Sequence, residues 1–229
     1  MLTFCYNFRM SNISNVFVIL GPPGSGKGTQ SELLAKKLGY NRIVIGDLRR
    51  EFIKGASPEA LEDKARYEKG TPGPDSLIGK LFKDEMHKLQ AEEGIVLDTF
   101  PLSMGQAQIL DDVLADFEIQ NFKVVFLDVD KEKVVKRIKG RKICSQCKKN
   151  YLLKDKGYAE NICPVCGGKL IVREDDDPVV AAQRFDEYER RNAAIKEFYR
   201  DKGILVEING DQPIDAVHHE IINKLGLSS

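Results

Sequence analysis

Apolar residues gather in five short runs along the chain: Val16–Leu20, Arg42–Ile45, Ile95–Leu97, Val124–Val129 and Ile204–Ile208. The first, Val-Phe-Val-Ile-Leu, is partly β-branched and bounded by Gly and Pro, which suits a strand buried on both faces. Between the runs the spacing turns helical. After Thr29, Leu33, Leu34, Lys37 and Leu38 recur at helical intervals, with Gly39 where a C-cap belongs. Further helical patterns lie near Leu48–Ile53, Pro58–Glu68, Asp75–Gln90, Gln106–Phe117, Lys131–Lys139, Pro178–Asp201 and Ile214–Leu225. Strands alternating with helices predict an α/β fold, a parallel five-stranded sheet covered by helices on both faces. Ligands of such sheets bind at the carboxyl ends of the strands.

Two segments break the alternation. The first, residues 44–73, puts two helical patterns between consecutive strands and ends in the hinge-like Gly70-Thr71-Pro72-Gly73-Pro74. The second, about residues 142–172, has four cysteines and little helical periodicity. Both read as excursions from the sheet, of the kind that act as lids.

Composition narrows the classes. At 229 residues the chain suits one large domain with insertions. Lys+Arg and Asp+Glu stand at 35 each, so no net basicity argues for nucleic acid or a membrane surface. No apolar stretch reaches membrane-span length. Met1–Arg9 lacks a charged start, an apolar core and a cleavage site, so a cytoplasmic location is expected; Met10 offers an alternative start, and residues 1–14 are expected to be a loose extension.

The chemistry begins after the first strand. Gly21-Pro-Pro-Gly24-Ser25-Gly26-Lys27-Gly28-Thr29 satisfies G-x4-G-K but carries Gly28 where Ser or Thr is usual. Strand, glycine turn and helix in that order form a phosphate cradle: backbone N–H groups curl round the oxygens, the helix start adds positive potential, and Lys27 supplies a point charge. Asp98 ends a buried strand, where a carboxylate beside such a loop orients Mg²⁺ or its waters. Cys144-x2-Cys147, fifteen residues, then Cys163-x2-Cys166 has the spacing of two knuckles closing a tetrahedral zinc site; iron suits the same knuckles. With all four positions filled by protein, such an ion is structural. Arg137 and Arg141 are one helical turn apart and expected to share a face, and Arg173, Asp175, Asp176 and Arg184 follow the cysteine segment. Arginines on both stems of a lid suit charge stabilisation in phosphoryl transfer.

Taken together, Gly21–Gln30, Gly46-Asp-Leu-Arg-Arg50, Leu97-Asp-Thr-Phe-Pro101 with Gln106, Arg137-x3-Arg141, the four cysteines, and Arg173-x-Asp175-Asp176 with Arg184 resemble the nucleoside monophosphate kinases, most closely adenylate kinases with a long zinc-binding lid. The resemblance covers nearly all of the chain from Asn15 to Leu227. It implies a P-loop NTPase-type core (15–229) with an acceptor-binding insertion at 44–73 and a zinc-binding lid at 141–176.

The resemblance also implies roles. Gly24, Ser25, Gly26, Lys27, Gly28 and Thr29 hold the donor phosphates of ATP, and Arg137, Arg141, Asn150, Tyr151 and Gln212 line the donor nucleotide. Ile45, Gly46, Arg50, Thr71, Pro72, Gly73, Thr99, Phe100, Pro101, Leu102 and Gln106 match the AMP site, with Arg50 as phosphate clamp and Gln106 as reader of adenine. Arg173 and Arg184 close on the phosphates, Asp175 and Asp176 hold the closed lid, and Thr29 and Asp98 serve Mg²⁺ through water. The implied partners are ATP and AMP/ADP, acting on a monomer.

Three positions depart from the family pattern. Leu102 stands where it has an arginine on the acceptor phosphate, Ile45 where Thr is usual, and Thr99 where Gly is usual. The donor half is intact and the acceptor half altered. Three readings follow: an adenylate kinase, a kinase of the same fold with another acceptor, or a nucleotide-binding protein that has lost catalysis.

Overall fold

In a computed structural model, residues 13, 15–69, 71–89, 94–147, 149–152, 161–172 and 178–227 are described; within them the side chains of residues 152, 178–181, 183 and 184 are not. Five parallel strands form the main sheet: β1 (Asn15–Leu20), β2 (Asn41–Val44), β3 (Ile95–Asp98), β4 (Asn121–Asp128) and β8 (Leu205–Asn209). Their order across the sheet is β2-β3-β1-β4-β8. Central β1 is paired with β3 on one edge and β4 on the other, and helices cover both of its faces.

Alternation along the strands feeds two cores. Val16, Val18 and Leu20 of β1, Ile95 and Leu97 of β3, and Val124 and Phe126 of β4 face one layer. That layer consists of α4 (Asp75–Lys88), α5 (Met104–Asp116) and α7 (Pro178–Asp201). Phe17, Ile19, Val96, Val125 and Leu127 face the opposite layer of α1 (Lys27–Leu38) and α8 (Ile214–Lys224). Helix α6 (Lys131–Lys139) packs against α7 in a smaller cluster, Val129, Val134, Ile138 and Phe185.

Several expected boundaries shift. Ile45, read as the end of a strand, opens α2 (Ile45–Phe52): one apolar residue fits either period, and Ile45 stays in the core as the chain turns. β4 begins three residues before the expected Val124, because Asn121 pairs with Asn15. Arg137 and Arg141 do not share a helix face, since α6 stops at Lys139, Gly140 caps it and Arg141 opens β5. Ile13, in the stretch expected to be loose, is buried in the main core. Among the described residues no helix is long and apolar enough to cross a membrane.

The cysteine-bearing segment is itself a small sheet. β5 (Arg141–Cys144) lies between β6 (Asn150–Leu152) and β7 (Leu170–Ile171), antiparallel to both. Among the described residues its buried cluster is Cys144, Tyr151, Cys163 and Leu170. A two- or three-stranded sheet with so little apolar cover is marginal alone.

The other insertion is held by charge. Asp63 of α3 (Pro58–Glu68) is 2% exposed and accepts from both Nε (2.8 Å) and Nη2 (2.9 Å) of Arg49 on α2. Arg49 also donates to the Thr71 carbonyl at 3.0 Å and lies 5.2 Å from the Tyr67 ring centre. Gly73 makes room for this strut: a Cβ there would stand 3.0 Å from Arg49 Nε and 2.9 Å from Ile78 Cδ1. One guanidinium thus ties α2, α3 and the link to α4. Removing the carboxylate with Asp63→Ala strands that cation, and breaking such a pair costs roughly 3 kcal/mol. Thermal denaturation is expected to show a melting temperature lower by about 6–12 °C; a change within error would make the pair ornamental.

Candidate active site

The turn from β1 to α1 starts the site. Ser25 N donates to the Pro22 carbonyl at 3.1 Å, closing the loop, and Gly26 adopts a left-handed φ of 100° as it enters α1. That conformation is cheap only for glycine. Gly26 offers α1 no side-chain cap, and no acidic residue lies in the first turn. The first N–H groups of the helix are therefore open to an anion, with no side-chain cap competing. The buried Ser25 hydroxyl has no hydrogen-bond partner, which also suits an acceptor arriving from outside. Lys27 Nζ folds over the loop, donating to the Pro22 carbonyl at 2.8 Å, 5.9 Å from the Tyr188 ring centre.

Arg137 joins this loop to the far side of the sheet. Its Nη1 donates to the Ser25 carbonyl at 3.4 Å and its Nη2 to the Gly210 carbonyl at 2.9 Å. Gln212, in the same turn after β8, donates to the Asn209 carbonyl at 3.0 Å and to Glu220 Oε2 at 2.6 Å. Residues 24–29, Arg137 and the turn bearing Gln212 are thus drawn together at the carboxyl end of the sheet. Arg141 is half-buried where β5 begins, and Asn150 is exposed on β6. Tyr151 turns inward instead. Its side chain is buried and its hydroxyl is hydrogen-bonded with Cys163 Sγ at 3.1 Å.

Asp98 closes β3 opposite Ile19 of β1, immediately beside the loop. A Cβ placed on Gly28 would be 3.6 Å from Asp98 Oδ2. The carboxylate is held from three sides: Ser31 Oγ donates to Oδ2 at 2.9 Å, Arg42 Nη2 to Oδ2 at 2.5 Å, and Thr99 Oγ1 to Oδ1 at 2.7 Å. Arg42 Nε also donates to Ser31 Oγ at 2.8 Å. Thr99 adopts a left-handed φ of 65°, strained for a β-branched residue and consistent with the glycine usual there. With the Thr29 hydroxyl in the first turn of α1, Asp98 gives the hard oxygen donors that Mg²⁺ takes, directly or through water.

On the acceptor side, Gln106 is 3% exposed and its carboxamide is oriented at both ends. Its Oε1 accepts from Leu102 N at 2.8 Å and its Nε2 donates to Asp75 Oδ1 at 3.0 Å. A main-chain N–H can only donate and a carboxylate can only accept, so the amide has one permitted orientation. Arg50 pairs with Asp47, beside Gly46. Leu102 is half-buried against the main core, Phe100 fully buried 5.1 Å from Phe82, and Ile45 buried. Pro101 follows a cis peptide, and Thr71, Pro72 and Gly73 form the link into α4.

The four cysteines converge, with Sγ atoms all within 4.8 Å of one another and close pairs at 3.4 Å (Cys144–Cys166) and 3.6 Å (Cys147–Cys163). Four thiolates about 2.3 Å from a central ion stand at such separations, so the set is compatible with Zn²⁺. Burial pushes the Cys163 thiol up, but hydrogen bonds from Tyr151 and from the Val165 and Cys166 amides outweigh it and bring it down to about 6. Arg173, Asp175 and Asp176 lie outside the described residues; Arg184 lies on α7, its side chain likewise outside them.

Sequence reasoning passed over Arg42, Ser31 and Asp75. A signal existed for Arg42, a charge opening an otherwise apolar run. Ser31 and Asp75 carry none: a serine in the second turn of a helix is unremarkable, and an aspartate opening a helix is ordinary first-turn chemistry.

The comparisons with known proteins agree with this geometry. A sequence model of the adenylate kinase family matches residues 19–204. The adenylate kinase of Methanocella arvoryzae is 36% identical over 206 residues, covering 90% of this chain and 95% of that protein. That of Chlamydia pneumoniae is 35% identical over 208 residues (91% and 96%), and that of Desulforudis audaxviator 37% identical over 210 (91% and 98%). Agreement along nearly the whole length, on a phosphate loop flanked by Asp98 and a four-cysteine sheet, makes the chain a nucleotide phosphotransferase belonging to the adenylate kinase family.

Proposed function

We propose that the protein reversibly transfers the terminal phosphoryl group of Mg·ATP to AMP, giving two ADP. The observation that carries this reading is the uncapped start of α1 with Asp98 seated against Gly28, which gives a donor's phosphates and their metal adjoining places. Mg²⁺, when bound with the nucleotide, spreads and neutralises phosphate charge. The protein's part is alignment and charge. Residues 24–29 hold the donor phosphates, Lys27 swings from the Pro22 carbonyl onto them, and Arg137 and Gln212 border the donor base. Gln106, fixed by Asp75 and Leu102 N, turns the free edge of its amide to adenine: an N–H for the ring nitrogen, an oxygen for the amino group. Arg50 leaves Asp47 for the acceptor phosphate. Arg141, Arg173 and Arg184 close on the transferring group, with Asp175 and Asp176 bracing residues 141–176 as a lid that excludes water.

A second reading, the same reaction with another nucleoside monophosphate, is favoured by the apolar side chains of Leu102 and Ile45 where acceptor contacts would be polar. A coupled assay with AMP, GMP, CMP and UMP separates the two. AMP is expected to be turned over fastest; preference for another base would transfer the assignment, and no turnover above spontaneous hydrolysis would remove it. Restoring a cation with Leu102→Arg adds one charged hydrogen bond and is expected to raise kcat/KM for AMP about ten- to a hundredfold. No gain would show that the acceptor phosphate does not lie beside residue 102.

We also propose that Zn²⁺ staples the small sheet and takes no part in the reaction. Chelation is then expected to lower the melting temperature, while activity at a temperature well below melting falls by no more than a few-fold. Elemental analysis giving less than one zinc per chain, with melting indifferent to chelator, would contradict the staple.

A further inference from the structure

Asp98 is already partnered on both carboxylate oxygens, Oδ2 by Ser31 and Arg42 and Oδ1 by Thr99. One of these contacts is ionic: Arg42 Nη2 lies 2.5 Å from Oδ2, with side-chain exposures of 28% for Arg42 and 4% for Asp98. The guanidinium is also locked by its Nε bond to Ser31 Oγ, which bonds the same carboxylate oxygen. A cation is thus already seated where a divalent ion's water shell would meet the carboxylate. Its position under the phosphate loop is direct, because a Cβ on Gly28 would stand 3.5 Å from Arg42 Nη2. On the other oxygen, Thr99 keeps its hydroxyl bond at the cost of a left-handed backbone. The fold tolerates strain to keep this carboxylate partnered.

We propose that Arg42 is a positioning residue and resident counter-ion for Asp98, holding the carboxylate beside the phosphate loop and competing with the divalent ion for it. This rests on the reading of the site as a metal–nucleotide donor site. Two like-signed charges around one carboxylate oppose each other, and the one bound through hydrogen bonds must loosen or shift for the other to bind fully. Divalent affinity is accordingly set below what Asp98 alone would give. A pair kept merely for packing would leave that affinity unchanged.

The test is Mn²⁺ binding by electron paramagnetic resonance, with protein saturated by the non-hydrolysable donor adenylyl imidodiphosphate, for parent, Arg42→Gln and Arg42→Lys. Arg42→Gln is expected to tighten Mn²⁺ about fivefold, the scale of a partly exposed ion pair, while Arg42→Lys stays within about twofold of the parent because the charge remains. Equal or weaker binding in Arg42→Gln would overturn the proposal. Failure of the parent to bind the analogue at all would instead remove the donor site and with it the premise, so the two failures are told apart. Should Arg42→Gln not fold, the Arg42 Nε–H resonance of the unmodified protein decides. It is expected to shift on adding Mg²⁺ to the analogue complex but not on adding the analogue with EDTA; the same resonance in both would overturn the proposal.

Discussion

The parallel pairing of β1 with β3 and β4 is the constraint on which the rest depends. Because β1 is covered on both faces and hydrogen-bonded on both edges, its carboxyl end has a fixed place. The glycine turn inherits that fixity, and so does Asp98, one strand away in register with Ile19. Loop, carboxylate and the turn after β8 reach the same end of the sheet because parallel strands all point there. No side chain has to be reached for across the fold. The binding groups stand on strand ends and helix starts, the stiffest places an α/β layer provides.

Much of this was legible in the residues. Apolar runs and helical spacings placed all five strands and the long helices, since burial on two faces gives a strand a signature that composition cannot blur. The cysteine spacing foretold convergence, because two knuckles allow few other arrangements. Where the reading slipped, the cause was local. Ile45 obeys either period, and Gly140 ends α6 one residue before an arginine that the helical spacing had claimed. The antiparallel character of the cysteine segment was hidden because β6 and β7 are three and two residues long, too short for alternation to register.

Of the site, the backbone part was readable and the side-chain part was not. A phosphate loop announces itself through glycine, but Arg42 meets Asp98 from fifty-six positions away, and Gln106 meets Asp75 from thirty-one. Such contacts depend on strand order, which a linear pattern does not carry. They nevertheless shape the site, since one sets the surroundings of the carboxylate beside the loop and the other sets which way the Gln106 amide points.

The tie between Arg49 and Asp63 has a consequence of another kind. Each member is tolerable in its secluded place because the other is there, and a chain that changed one alone would carry a stranded charge. Descent through single substitutions is therefore obstructed at both positions. A lineage leaves this arrangement by altering the two together or by passing through uncharged side chains, so the histories of residues 49 and 63 are bound to each other.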